Sequence, residues 1–303
     1  MGNPHAVLFV DELDAIDIKL IGAAIECHPI FADRSNVEFV KVTGPDSATI
    51  RVWESEFAVY RKVWQSHLLL AFVQPLLYLV GMGLGVGALI EANTDSSSSL
   101  DGLSYFEFLA PALLATTAMI SAGQASLWQV LDGFFWSNRY RAMAATPLGP
   151  GDIASGLTLW HATRTTIGVT GVAVVLAFFD ATRSWGLLVA VPAAVLTGLA
   201  YALPITAWSS TRHGDGSFPT IIRFGLLPMF LFGGAFFPVE QLPDWLQPVA
   251  YVTPLWHGIE LCRGAVIDTA SAGNVAVHLA VLGGYAVVGW VACKVAFARR
   301  LAP

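Results

Sequence analysis

The sequence predicts an all-α polytopic membrane protein with six transmembrane helices, preceded by a small soluble α/β segment. Three observations carry that expectation. Six long stretches between residues 68 and 293 are nearly free of Asp, Glu, Lys and Arg. The basic residues gather in the loops on one side of those stretches. The mean hydropathy is +0.62 with only 13% charged residues, too few to give most helices of a large soluble protein a polar face toward water.

The first 54 residues are a different kind of sequence. They hold nine acidic and four basic residues, a net charge of −5, so the rest of the chain contributes only −1 of the total −6. HAVLFVDELDAIDIKLIGAAIECHPIF reads as a strand, an Asp-rich helix start and an amphipathic helix. NVEFVKV and SATIRVWE then alternate like a hairpin across the turn GPDS, which predicts a soluble β-α-β-β fragment over residues 1–54. Met1 to Val10 has neither the basic start nor the apolar core of a secretory signal, so the first span is expected to act as its own insertion signal.

Residues 68–90, 108–131, 184–211 and 269–293 contain no Asp, Glu, Lys or Arg, and each can cross a hydrocarbon core that needs roughly 20 apolar residues. Residues 153–179 contain only Arg164 and residues 216–239 only Arg223, so both read as spans whose arginine lies toward one interface. Arg61, Lys62, Arg139, Arg141, Arg212, Arg223, Lys294, Arg299 and Arg300 flank the spans on one side. The other side has Arg183 and Arg263, and its first loop carries Glu91, Asp95 and Asp101. Basic loops face the cytoplasm, so both termini are expected there, in a multi-pass protein of the plasma (inner) membrane. An even span count requires the same shared side.

Chemistry-bearing motifs are sparse. Cys27, Cys262 and Cys293 are scattered without CxxC spacing, which points to neither a disulfide framework nor a metal site. No GxxxxGK[ST] occurs, so the chain has no usual cradle for a nucleotide phosphate. The spans lack Asp and Glu, which an ion-coupled carrier uses as relays. His161 and His278 are the titratable groups deep enough to relay protons, although a single membrane histidine more often hydrogen-bonds between helices.

Two regions resemble known families. GNPHAV at 2–7, HPIFADRSNVEFV at 28–40 and IRVWE at 50–54 resemble the second half of diaminopimelate epimerase. The resemblance implies a vestigial site of Asn3, His5, Asn36 and Glu54, with Ser55 where the family has Arg. That family moves its α-proton with two cysteines, one from each half of the fold, and neither has a counterpart here. The segment is therefore expected to be an inactive, truncated remnant.

From about residue 56 to 303 the chain is similar to ABC-2 type transporter permeases, most of all nodulation-type lipo-oligosaccharide exporters and related drug exporters. QPLLYLVGMGLGVG, FLAPALLATTAM, NRYRAMAATPLGPGDI and FPTIIRFGLLPMFLFGGAFFPVEQLPDWLQPVAYVTPLWHGIELCRG carry the similarity. It implies a permease homodimer that binds a cytoplasmic ABC ATPase and exports an amphipathic substrate such as a lipo-oligosaccharide, glycolipid or hydrophobic drug. ATP and Mg would be used by that partner, no cofactor would be bound by this chain, and no nucleic acid is implied. The first span, with glycines at 81, 83, 85 and 87, would lie at the dimer interface.

The loop DGFFWSNRYRAMAATPLGPGDIASG mixes aromatic and basic residues, then stops at Pro147, Gly149, Pro150 and Gly151. By the resemblance it is the coupling helix, with Arg139, Tyr140, Arg141, Thr146 and Pro147 meeting the ATPase; the alternative is that its arginines only anchor the chain on the positive side. Between the fifth and sixth spans, Pro238, Pro243, Pro248 and Pro254 stand among Trp245, Tyr251 and Trp256. Proline at that density breaks a continuous helix, and indoles favour the headgroup level. Two short helices dipping into the outer leaflet are expected, with Pro243, Trp245, Pro254, Trp256, His257 and Glu260 as the site residues. Two other functional readings remain at this stage. One is a membrane-anchored binding or regulatory protein that uses the epimerase-like segment, for which tight diaminopimelate binding would speak. The other is a secondary transporter, for which ATP-independent transport would speak.

Overall fold

A computed structural model describes residues 5–10, 16–28, 36–40, 45–92, 100 and 102–302. Strand β1 (His5–Phe9), helix α1 (Ile18–Glu26) and strand β2 (Asn36–Val40) come first. β1 and β2 pair in parallel with His5 opposite Asn36, and α1 is the crossover between them. Asp17 caps α1 by accepting from the Leu20 amide at 3.0 Å. Asn3 lies outside the described residues.

The expected second hairpin strand does not form. Residues 48–54 belong instead to helix α2 (Pro45–Tyr78), so the N-terminal segment is β-α-β followed by a long helix. SATIRVWE satisfies a two-residue alternation, but its continuation does not. Ala48, Val52 and Glu56 recur every four residues and are all buried, which is the helical period. They meet α6 (Pro150–Ala177). A Cβ on Gly156 would lie 2.5 Å from the Val52 Cβ and 2.8 Å from the Thr49 carbonyl oxygen, so only glycine lets the two backbones approach this closely. Trp53 donates to Thr163 Oγ1 at 3.0 Å and stacks on Phe57. The boundary expected between residues 54 and 56 thus falls inside one helix.

Beyond α2 a π-helical stretch (Leu79–Val86) and α3 (Gly87–Glu91) complete one helical run. Helix α4 (Tyr105–Leu131) opens with a reciprocal Ser104–Glu107 capping box and runs into a π turn, Asp132–Trp136. Then come α5 (Arg139–Ala144), α6, α7 (Leu187–Ser209), α8 (Phe218–Ile221), a π turn (Ile222–Leu226) and α9 (Leu227–Phe232). A short 3-10 turn (Val239–Gln241), α10 (Gln247–Val252), α11 (Pro254–Val266) and α12 (Ala272–Leu301) finish the chain. Helix α7 packs against α4, α6, α11 and α12 and forms the centre of the bundle. Its crossing with α12 is tight: a Cβ on Gly289 would fall 2.6 Å from Pro204 Cδ.

Among the described residues, three helical runs are long and apolar enough to cross a membrane: Tyr105–Trp136, Leu187–Ser209 and Ala272–Leu301. They occupy different environments, since the apolar window of the first is 78% buried inside the protein and that of the last only 17%. Residues 68–90 are helical throughout, and 153–179 are helical as far as Ala177, the end of α6. The expected fifth span is not a single helix over 216–239. Its helical run, Phe218–Phe232, is about 22 Å long at 1.5 Å per residue, short of a hydrocarbon core of about 30 Å. It ends at Gly233 and Gly234, the latter at φ 87°.

The histidines of the bundle are hydrogen-bonded. His161 Nε2 lies 3.2 Å from Thr206 Oγ1, and His278 Nδ1 lies 2.7 Å from His257 Nδ1. Arg263 is not a loop charge. It is buried, donates from Nε to the Phe108 carbonyl (3.2 Å), from Nη2 to the Gly234 carbonyl (2.9 Å) and from Nη1 to Glu260 (2.8 Å), and lies over the Phe108 ring. It clamps α11 to α4, which leaves Arg183, ion-paired to Asp180 at 2.8 Å, as the surface base of that side among those the sequence counted.

Candidate functional site

The loop between α4 and α6 is built around one inward-facing residue. Tyr140 is fully buried, with its ring 5.0 Å from Phe134 and 5.5 Å from Phe297. Gly133 makes room for it, since a Cβ there would sit 2.1 Å from the tyrosine ring. The chain turns into α5 through Asn138, which holds a left-handed φ of 52°, a conformation asparagine tolerates better than most residues. At the far end the Thr146 hydroxyl donates to the Met143 carbonyl and accepts from the Leu148 amide. The Gly149 amide then donates to Asp152 at 3.0 Å, capping α6 behind Pro150.

Arg139, which the resemblance would have meet the ATPase, turns its guanidinium toward Glu56. Its Nη2 lies 2.9 Å from Glu56 Oε1, and its side chain is 18% exposed against 2% for Glu56. Gln129 of α4 donates to the other oxygen of the same carboxylate. One buried acid on α2 therefore joins α2, α4 and α5. Burial pushes the Glu56 carboxyl above its ordinary value, partly offset by the Arg139 guanidinium and the Gln129 hydrogen bond. Burial likewise pushes the Tyr140 hydroxyl up, and the nearby Glu56 charge adds to this, so it stays neutral.

Phe135 and Trp136, each about half exposed, are among the residues that face outward, together with Arg141 and Pro147. Trp136 stacks on Trp128 at 6.4 Å. The five residues expected from the sequence thus divide. Arg141 and Pro147 lie on the surface, Thr146 holds the turn, and Arg139 and Tyr140 fasten the loop from within. Glu56 and Gln129 were missed, although an acid continuing the 48–52 stripe at helical spacing is a readable sign of a buried charge once the segment is taken as a helix.

In the proline-rich segment, Pro248 and Pro254 stand in the first turns of α10 and α11, where a missing amide costs least. Trp245 is exposed, Trp256 packs edge-on to Tyr251 and to both His257 and His278, and Glu260 holds Arg263. Pro243 provides the carbonyl that accepts from Leu246 at 2.8 Å. Of the vestigial epimerase set, Asn3 lies outside the described residues. His5 and Asn36 are strand neighbours, while Glu54 is on exposed α2 surface, ion-paired to Arg51 at 3.0 Å. Cys27 is an exposed helix cap of α1, while Cys262 and Cys293 are buried and donate to backbone carbonyls.

Two family models match the chain. The family model described as ABC-2 type transporter matches residues 48–267, and the one described as diaminopimelate epimerase matches residues 1–58. The two matches overlap over the first turns of α2. Nodulation protein J of Rhizobium leguminosarum bv. viciae is 32% identical over 255 residues, 83% of this chain and 94% of that protein. Nodulation protein J of Rhizobium meliloti is 31% identical over 257 residues, 84% of this chain and 94% of its own length. Diaminopimelate epimerase of Parabacteroides distasonis is 56% identical over 54 residues, which is 18% of this chain and only 20% of that enzyme. With a family model matched over most of its length and relatives aligned nearly end to end, this chain belongs to the ABC-2 type transporter family, as a membrane transport subunit rather than an enzyme, and begins with a diaminopimelate epimerase-like fragment.

Proposed function

We propose that the chain is the six-span permease subunit of an ATP-driven exporter, acting as a homodimer with a cytoplasmic ABC ATPase. Its substrate is an amphipathic molecule of the lipo-oligosaccharide, glycolipid or hydrophobic drug class. The observation that carries the reading is the braced loop after α4. Phe135, Trp136, Arg141 and Pro147 form an exposed aromatic and basic surface, and the Glu56–Arg139 pair and buried Tyr140 hold it rigidly to α2 and α4. A rigid knob can transmit a push, whereas a loose loop would absorb it. Replacing Trp136→Ser together with Arg141→Glu removes surface contacts and leaves the brace intact. That variant is expected to insert and melt normally while losing co-purification with the ATPase and substrate-stimulated hydrolysis. Unchanged ATPase recruitment would move the docking surface elsewhere.

The basic residues set the orientation we propose, with both termini in the cytoplasm of a plasma-membrane protein. A reporter fused after Pro303 is expected to be cytoplasmic, and a tag within 96–99, outside the described residues, accessible from outside. A tag protected in intact cells would reverse the orientation.

A further inference from the structure

We infer that the groove between the C-terminal ends of α7 and α12 is a binding site for an anionic phospholipid of the surrounding bilayer. The groove has a volume of about 660 Å³. Its wall is apolar, formed by Val288, Val291 and Val295, which stay 70%, 49% and 44% exposed in the protein. In a membrane transport subunit a strip of exposed valines on the least buried long helix is a surface for acyl chains. Its end is polar and of one sign. Arg299 and Arg300 line it in the last turn of α12, His213 faces them from beyond α7, and no carboxylate is among the lining residues.

The two arginines are placed as a headgroup clamp. Arg299 has no ion-pair partner among the described residues, and Arg300 is steadied by lying 5.1 Å over the Phe134 ring. The Ser210 and Thr211 hydroxyls in the wall donate to backbone carbonyls, so the groove offers its donors to a ligand chiefly through guanidinium groups. Guanidinium forks match phosphate oxygens in pairs. Apolar wall and cationic end together select a molecule with two acyl chains and a net negative phosphate, rather than a free anion.

A second groove at the opposite end of the same helix pair gives an internal contrast. It is larger, about 850 Å³, and also apolar, but Asp268 stands on its rim with Arg183, and Arg183 is already paired to Asp180 at 2.8 Å. With both signs present it has no reason to prefer an anionic headgroup over a zwitterionic one. Between the grooves the Gly289–Pro204 contact closes the seam, so the two sites are separate.

The test is native mass spectrometry of the full-length protein titrated with phosphatidylglycerol or phosphatidylethanolamine in detergent. The wild type is expected to retain phosphatidylglycerol with roughly tenfold preference, from two arginines each worth several-fold near a charged headgroup. Arg299→Gln with Arg300→Gln should bring the preference close to one, Arg299→Lys with Arg300→Lys should keep most of it, and Arg183→Gln should leave it unchanged. A photoreactive phosphatidylglycerol should label the peptide spanning 288–300 in the wild type, a result that does not depend on the stability of any variant. No preference in the wild type, preference surviving the double glutamine variant, or label elsewhere would each overturn the proposal. So would equal competition by inorganic phosphate, which would make it an anion site, or loss of dimer in the double variant, which would make it a protein interface.

Discussion

Removing residues 1–44 is expected to leave the permease intact, whereas removing residues 1–55 should damage it severely. The shorter deletion takes away β1, α1 and β2 and stops at the start of α2. The longer one also takes Ala48, Val52 and Trp53, which fill the face of α6 around Gly156 and Thr163. Losing one fully buried valine and one packed, hydrogen-bonded tryptophan costs about 3 kcal/mol or more. It also leaves Glu56 at a frayed helix end, where it cannot hold Arg139. We expect the melting temperature in detergent to be unchanged for the shorter deletion and lower by roughly 6–12 °C for the longer, with export and ATPase association lost only in the longer. Equal melting and equal export of the two would show that the first turns of α2 are dispensable. The intact chain is expected to catalyse no α-proton exchange on diaminopimelate, because neither face has its thiol; exchange above background would contradict this.

The membrane character and the long helices were legible because bilayer thickness acts on composition over more than 20 residues at a time, and a span such as 269–293 cannot be mistaken. The start of α2 was not legible. SATIRVWE fits both periods, and only its contacts with α6, more than 100 residues away, decide between them. The same limit applies to charge. Arg139, Arg141 and Arg263 look alike in a loop, yet one is braced by Glu56, one is on the surface and one clamps the interior. Side-chain direction within a turn is set by where Tyr140 finds its pocket at Gly133, and no spacing rule encodes that. The extent of the helix in the fifth span was not legible for a related reason, since an apolar run does not reveal that Gly233 and Gly234 will end it.

Arg139→Ala is expected to cost about 3–5 kcal/mol at neutral pH, because it leaves the Glu56 charge 2% exposed and without its cation. Arg139→Ala combined with Glu56→Gln should recover most of that loss, since the double variant has no buried charge to compensate. The two losses should therefore be strongly non-additive. Acidity provides a second signature. Burial already holds the Glu56 carboxyl above its ordinary value, and deleting Arg139 removes the largest influence that lowers it. A carboxyl whose value is raised in the fold contributes its stability fully below its unfolded value and loses it as pH rises through the folded one. The deficit of Arg139→Ala should accordingly shrink as the pH is lowered from 7.5 toward 5, because a carboxyl held above its ordinary value takes up its proton sooner than an exposed one, and the Glu56→Gln double variant should show no such recovery. Melting curves in detergent across that range read both effects. If Arg139→Ala melted like the wild type at pH 7.5 and lost only ATPase association, Arg139 would be a docking residue after all, and the brace would have to be sought in Tyr140 alone.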